Sequence, residues 1–237
     1  MSNSTSIREN IAAIRAQIDA AARETGRTGA DITLVGASKM NDAAACRTAI
    51  AGGLTALGEN RVQELLEKDA QGAYEGASLH FIGRLQRNKV KYLVGRVDLI
   101  ESIDSLALLQ EVQRLAGKRG VIQDILLEVS AAGEESKGGL PMDAVVPAAE
   151  AALAMPNLRV RGLMTIPPVS ADPRESLPYF EKVRALYVDI NEKMFHNELE
   201  YLSMGMSGDF EEAIRAGATV VRVGTAIFGA RNYGAAT

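Results

Sequence analysis

The chain is poor in several residue types, and each scarcity closes a class of function. Among its 237 residues there is one cysteine, Cys46. A lone cysteine forms no internal disulfide and suits a reducing compartment. It stands in the apolar run AAAC of residues 43–46, the setting of a packed thiol and not of a nucleophile with a histidine beside it. The only two histidines, His80 and His196, are far apart, and no Cys/His cluster exists, which argues against a zinc centre. Tryptophan is absent and aromatics make up 5 % of the chain, so aliphatic side chains have to build the core. The net charge is only −4, with both signs interspersed, so no basic face for nucleic acid is expected. No apolar run approaches the ~20 residues of a membrane span. The opening residues MSNSTS have no basic-then-apolar leader pattern. The expectation is a cytoplasmic chain with neither nucleic acid nor membrane as partner, long enough for a full hydrophobic core.

What is present is a repeat. Ile7, Ile11, Ile14 and Ile18 have helical spacing, and Gly26 ends this first helix. A unit then recurs in which a short apolar run is followed by a helical pattern. The runs predict strands at residues 32–38, 54–59, 79–83, 97–103, 122–129, 158–166, 201–205 and 219–224. Uninterrupted apolar runs of this length read as strands buried on both faces of a parallel sheet. Between them the pattern predicts helices to about residue 51, through Val62, Leu65 and Leu66, around 90–94, over 105–116, from Pro141, over 176–197, at 210–217 and at 226–230. Eight strands, each followed by a helix, make an α/β fold of one domain over residues 1–237, a TIM-type (β/α)8 barrel with an extra N-terminal helix. A doubly wound open sheet is the alternative. No Gly-x-Gly-x-x-Gly follows the first strand, and the count of eight favours closure.

Barrels of this kind build their sites at the C-terminal ends of the strands. The first strand ends on Lys39. Lysine is rarely buried, so Lys39 either snorkels to the surface or has its pKa lowered by burial and forms a Schiff base with a carbonyl. The second strand ends at Asn60 and the third at Gly83. The last two end in the loops MGMSGD, residues 204–209, and RVGTA, residues 222–226. Ser207 and Thr225 there either cap ordinary helices or, with Gly224 and its neighbours, cradle a phosphate where barrels bind one. Period-two alternation puts Arg222 and Gly224 on one face. A guanidinium inside a barrel needs a partner, either an inward acid or a ligand atom. An imine-forming lysine, a phosphate cradle and an arginine between them describe a site for pyridoxal 5′-phosphate.

Seven segments carry a resemblance: LVGASK (34–39), GEN and VQE (58–60 and 62–64), HFIG with LQ and NK (80–83, 85–86 and 88–89), EESKG (134–138), RGLMT (161–165), LSMGMS (202–207) and RVGTAIFGAR (222–231). Together they resemble the pyridoxal phosphate homeostasis protein family, related to the alanine racemase N-terminal domain. The resemblance implies a fold-type III barrel that holds pyridoxal 5′-phosphate on Lys39 as a Schiff base. It puts Ser207, Gly224 and Thr225 at the phosphate, Arg222 near the pyridine nitrogen, and Asn60 and Met164 around the ring. An arginine there leaves that nitrogen unprotonated and weakens the ring as an electron sink. Racemases use a second acid/base, a tyrosine from an added domain. This sequence runs out soon after the eighth strand, Tyr201 begins the seventh at the far end, and Tyr233 lies in the C-terminal tail. The expectation is therefore a monomeric, non-catalytic protein that buffers the cofactor and delivers it to apo-enzymes. A fold-type III amino-acid racemase is the alternative, and a Schiff-base aldolase acting on a sugar phosphate is a third reading. His80 is expected to pack and hydrogen-bond near the barrel bottom. Lys137 either reaches the rim or is a solvated loop charge, and Arg84 has no assigned role.

Overall fold

The structure, a computed structural model, describes residues 3–133 and 138–229. Helix α1 (Asn3–Arg23) comes first. Its isoleucines at 7, 11, 14 and 18 are all buried, as their spacing requires, and pack it against α2 (Ala43–Ala51), α7 (Phe210–Arg215) and α8 (Thr225–Phe228). The strands are β1 (Thr33–Ala37), β2 (Ala56–Glu59), β3 (Ser78–Phe81), β4 (Leu99–Ile103), β5 (Gln123–Ser130), β6 (Leu140–Pro141), β7 (Leu158–Thr165), β8 (Tyr201–Ser203) and β9 (Val220–Val223). All pairings are parallel. The order β4-β3-β2-β1-β9-β8-β7-β5 closes through a β4–β5 pairing. Eight strands thus form the barrel, and β6 is an added two-residue strand beside the end of β5. The remaining helices are α3 (Val62–Asp69), α4 (Leu106–Arg119), α5 (Val145–Leu153) and α6 (Leu177–Met194).

Two connections differ from the pattern reading. The helix expected around residues 90–94 is a 3-10 helix, Arg87–Tyr92, a form used for short pieces. The helix expected from Pro141 opens as a 3-10 turn, Met142–Ala144, with Pro141 at its N-cap in extended backbone and paired in β6, and becomes α-helical at Val145.

Alternation along the strands sorts the interior into layers. Val35, Ala56 and Val220 form one apolar cluster and Leu99, Leu126 and Met164 another, both capped by Tyr201. Two residues further along β3, β4, β8 and β9 come polar side chains, and beyond them the mouth. Outside the strands, a large aliphatic core joins barrel to helices. Among the described residues no helix is long and apolar enough to cross a membrane.

Candidate functional site

The polar layer under the mouth is centred on Arg222, almost wholly buried. Its guanidinium donates to Ser203 Oγ and, at 2.9 Å, to the Thr165 carbonyl. Glu101 Oε2 lies 3.8 Å away and accepts from Ser203 Oγ. Its other oxygen meets His80 Nδ1 at 2.6 Å. Burial alone would lift the Glu101 carboxyl, but His80, Arg222 and Ser203 outweigh it and hold it below the ordinary carboxylate range. Burial pushes the Arg222 pKa down, against the pull of Glu101, Glu128 and Asp209. Both partners considered for Arg222 are therefore in play: it has an inward acid, and it also forms part of the wall of the mouth cavity. His80 sits in this middle layer, two residues into the strand, and not at the barrel bottom.

Above lies a cavity of about 370 Å³, walled by Lys39, Asn60, Ser207, Arg222, Gly224 and Thr225 among others. Six of the seven expected site residues thus converge from four strand ends. Met164 does not. It faces the lumen one layer lower, fully buried against Leu99 and Leu126. Alternation brings Ile166, two residues on, to the cavity wall in its place. Lys137 lies outside the described residues, as does Tyr233.

Local structure explains the placement of each wall. Ser207 does not cap α7; Asp209 stands at that cap position and accepts from Met206 N at 2.7 Å. Ser207 Oγ instead accepts from Gly224 N at 3.2 Å, tying the two loops together. A Cβ on Gly224 would stand 3.1 Å from the Ala37 carbonyl, so glycine lets the backbone come close at this wall. A Cβ on Gly83 would stand 2.2 Å from the Asn60 carbonyl. Only glycine permits that approach, which fixes where Asn60 enters the cavity. The Oδ1 atom of Asn60 is buried and has no hydrogen-bond partner, a vacancy a bound polar ligand can fill.

Lys39 is braced from behind by a second network. Ser38 donates to Glu59 Oε1 at 2.6 Å, and Tyr74 OH donates to the same oxygen at 3.1 Å. Lys68 Nζ reaches Glu59 and Glu64, both at 2.7 Å, and the Ser38 carbonyl at 2.8 Å. Glu64 accepts from Met40 N, where Met40 is in the left-handed region at φ 63. Both neighbours of Lys39 are held, so its attachment point is rigid. Burial pulls the Lys68 pKa down, but Glu59 and Glu64 outweigh it and keep it above its ordinary value.

Two features of the site were not legible in the sequence. Lys68 and Glu64 at i, i+4 have the spacing of a solvated helix pair; only the depth of Glu59 shows otherwise. Glu128 is 8 % exposed, lines the cavity and has its pKa pushed up to about 7 by burial and by the charge of Asp104. Its even spacing from Ser130 along β5 was the available signal. Among the described residues no tyrosine lines the cavity, and Tyr201 lies at the far end of the lumen. No group of three or more potential metal ligands occurs there either.

Comparison with known proteins gives a consistent answer. Residues 3–232 match the family described as alanine racemase, N-terminal domain. The pyridoxal phosphate homeostasis protein of Aquifex aeolicus is 44 % identical over 225 residues, 95 % of this chain and 98 % of its own. That of Pseudomonas aeruginosa is 42 % identical, with 98 % of each chain covered. Among solved structures, PipY of Synechococcus elongatus with pyridoxal phosphate bound superposes with a TM-score of 0.83 at 32 % identity, covering 94 % of this chain and all of that one.

Proposed function

The chain belongs to the pyridoxal phosphate homeostasis proteins, within the alanine racemase N-terminal domain family, and from that premise we propose that its mouth cavity binds pyridoxal 5′-phosphate. The observation that carries the reading is the convergence of Lys39, Asn60, Ser207, Arg222, Gly224 and Thr225 on one cavity. The donor set fits the cofactor. Lys39 Nζ supplies the amine for a Schiff base to its aldehyde. The Ser207 and Thr225 hydroxyls and the backbone around Gly224 suit a phosphate dianion. Asn60 contributes an unsatisfied buried oxygen. Arg222, a donor with no acceptor, leaves a pyridine nitrogen facing it unprotonated and so tempers the electron-withdrawing chemistry the cofactor supplies when bound.

The role that follows is reversible holding of a reactive aldehyde in the cytoplasm and its delivery to apo-enzymes, by a monomer and without robust catalysis. Support comes from the name given to its relatives, from Arg222, and from the lack of a tyrosine among the described residues of the cavity wall. The test is the visible absorption spectrum of purified protein beside Lys39→Ala, with cofactor added to both. A Schiff-base band in the first and its loss in the second is the expected result. No band in either overturns the covalent reading. Deuterium exchange at Cα of amino acids added to loaded protein would overturn the non-catalytic one.

A further inference from the structure

A second and larger cavity, about 660 Å³, opens beside the mouth. It lies between the first turn of α3, the 3-10 helix Arg87–Tyr92 and the start of α4, above the ends of β2, β3 and β4. Arg61, Arg84, Arg87 and Lys89 line it, against a single acid, Asp104. This is a local excess of positive charge in a chain whose net charge is −4. Elsewhere arginines are engaged with carboxylates, as Arg114, Arg159, Arg161 and Arg215 are. Among the described residues Arg61, Arg84 and Arg87 enter no ion pair. The floor is apolar: Val62, Phe81, Leu85 and Leu108 line the cavity and are buried.

One further observation points to an anion. Arg61 is the N-cap residue of α3, no side chain caps that helix start, and Arg61, Val62 and Gln63 all line the cavity, where the helix dipole favours an anion. Asn60 stands on the wall that this cavity shares with the mouth, and its unpartnered Oδ1, an acceptor, suits a donor on the ligand and not its phosphate. Arg84 is on the same wall. A Cβ on Gly138 would stand 3.8 Å from Asp104 Oδ2 and 4.0 Å from both Arg84 Nε and Glu128 Oε1. Arg84 stands at the partition, where its charge acts on Glu128, and Arg61, Arg87 and Lys89 carry the positive charge of the outer cavity.

We propose that this cavity is a second, non-covalent binding site, taking a phosphate monoester carried on a small aromatic ring. The phosphate meets Arg61 and Arg87 near the start of α3, and the ring lies on the apolar floor. Its size falls in the range of ligand pockets. The choice of an aromatic ester rests on the reading of the mouth given above; the preference for an anion does not. Lying one wall away from Lys39, such a site would receive or supply the ligand of the mouth.

The test fills the mouth first. Protein loaded with pyridoxal phosphate is reduced with borohydride, fixing the cofactor on Lys39, and dialysed. It is then titrated with pyridoxine 5′-phosphate, which has no aldehyde. The expected result is one further equivalent bound, competed by inorganic phosphate, and no binding of unphosphorylated pyridoxine. Arg61→Ala/Arg87→Ala should weaken this binding by about tenfold or more, the loss of charge-assisted hydrogen bonds, while leaving the Lys39 absorption band unchanged, since neither side chain lines the mouth. No second equivalent, equal binding by the double variant, or inorganic phosphate binding as tightly as the ester would overturn the proposal. If borohydride fixes nothing on Lys39, the reading of the mouth fails instead. The arginine-dependent binding of pyridoxine 5′-phosphate to Lys39→Ala protein then decides the second site separately.

Discussion

Two buried ion networks flank Lys39, and they are built from the same chemistry to different ends. Behind the lysine, Lys68 and Glu59 are buried, pair with one another and do not line the cavity. Under the mouth, Arg222 and Glu101 are as deeply buried, yet Arg222 also forms part of the cavity wall. The sealed network fixes backbone: Ser38 and Met40 are its clients, and Lys39 is held between them. The open one offers a fixed charge to whatever enters. Burying an ion pair seldom adds stability over an apolar replacement, whereas removing one partner is costly. What such a network supplies is position, and position is needed on both sides of Lys39.

Breaking the sealed network should have the largest effect. Lys68→Met leaves Glu59 buried beside Ser38 and Tyr74 with no counter-charge. A loss of about 3–5 kcal/mol in urea unfolding is expected, with much of it restored in Glu59→Gln/Lys68→Met. A single variant as stable as wild type would show that the network does not bear on the fold.

Next comes the buried carboxylate on the wall of the mouth cavity. Glu128 has its pKa raised to about 7 by burial and Asp104. The folded chain therefore holds this proton more tightly than the unfolded chain does. The resulting stability is complete below the pH where an ordinary glutamate ionises and is lost as pH rises through about 7. Glu128→Gln should match wild type near pH 4 and exceed it at pH 8 by on the order of 3 kcal/mol. Thermal unfolding across that range checks it, and a constant difference at all pH values would contradict the assignment.

The smallest of the three is Arg222→Met. Glu101 keeps His80 and Ser203, so the loss should be about 2 kcal/mol, the scale of hydrogen bonds to a charged group. Cofactor affinity should fall as well, which Lys68→Met with its intact mouth chemistry should change less. If the two variants exchange these effects, the division into a positioning network and a presenting network is wrong.

Much of this site could be read before any coordinates. Lys39 at a strand end, Arg222 in register with Gly224, and hydroxyls in the last two loops are local patterns with local meanings. Met164 shows the limit. Its alternation was readable, but its depth in the lumen was not, and Ile166 took the place at the wall. Ser207 could be read either as a cap or as part of a phosphate cradle, and the tie its hydroxyl makes between two loops by accepting from Gly224 N was in neither reading. Glu59, Lys68 and Tyr74, or Arg84, Asp104 and Glu128, become neighbours only when separate strands and helices are brought together.

The sequence by itself determined the repeating strand and helix, the closure of eight strands, and which residues stand at the mouth, because hydrophobic period and turn chemistry act over a few residues. The tertiary structure alone decided which charges are sealed and which are open, because burial and pairing depend on what the far parts of the chain bring alongside.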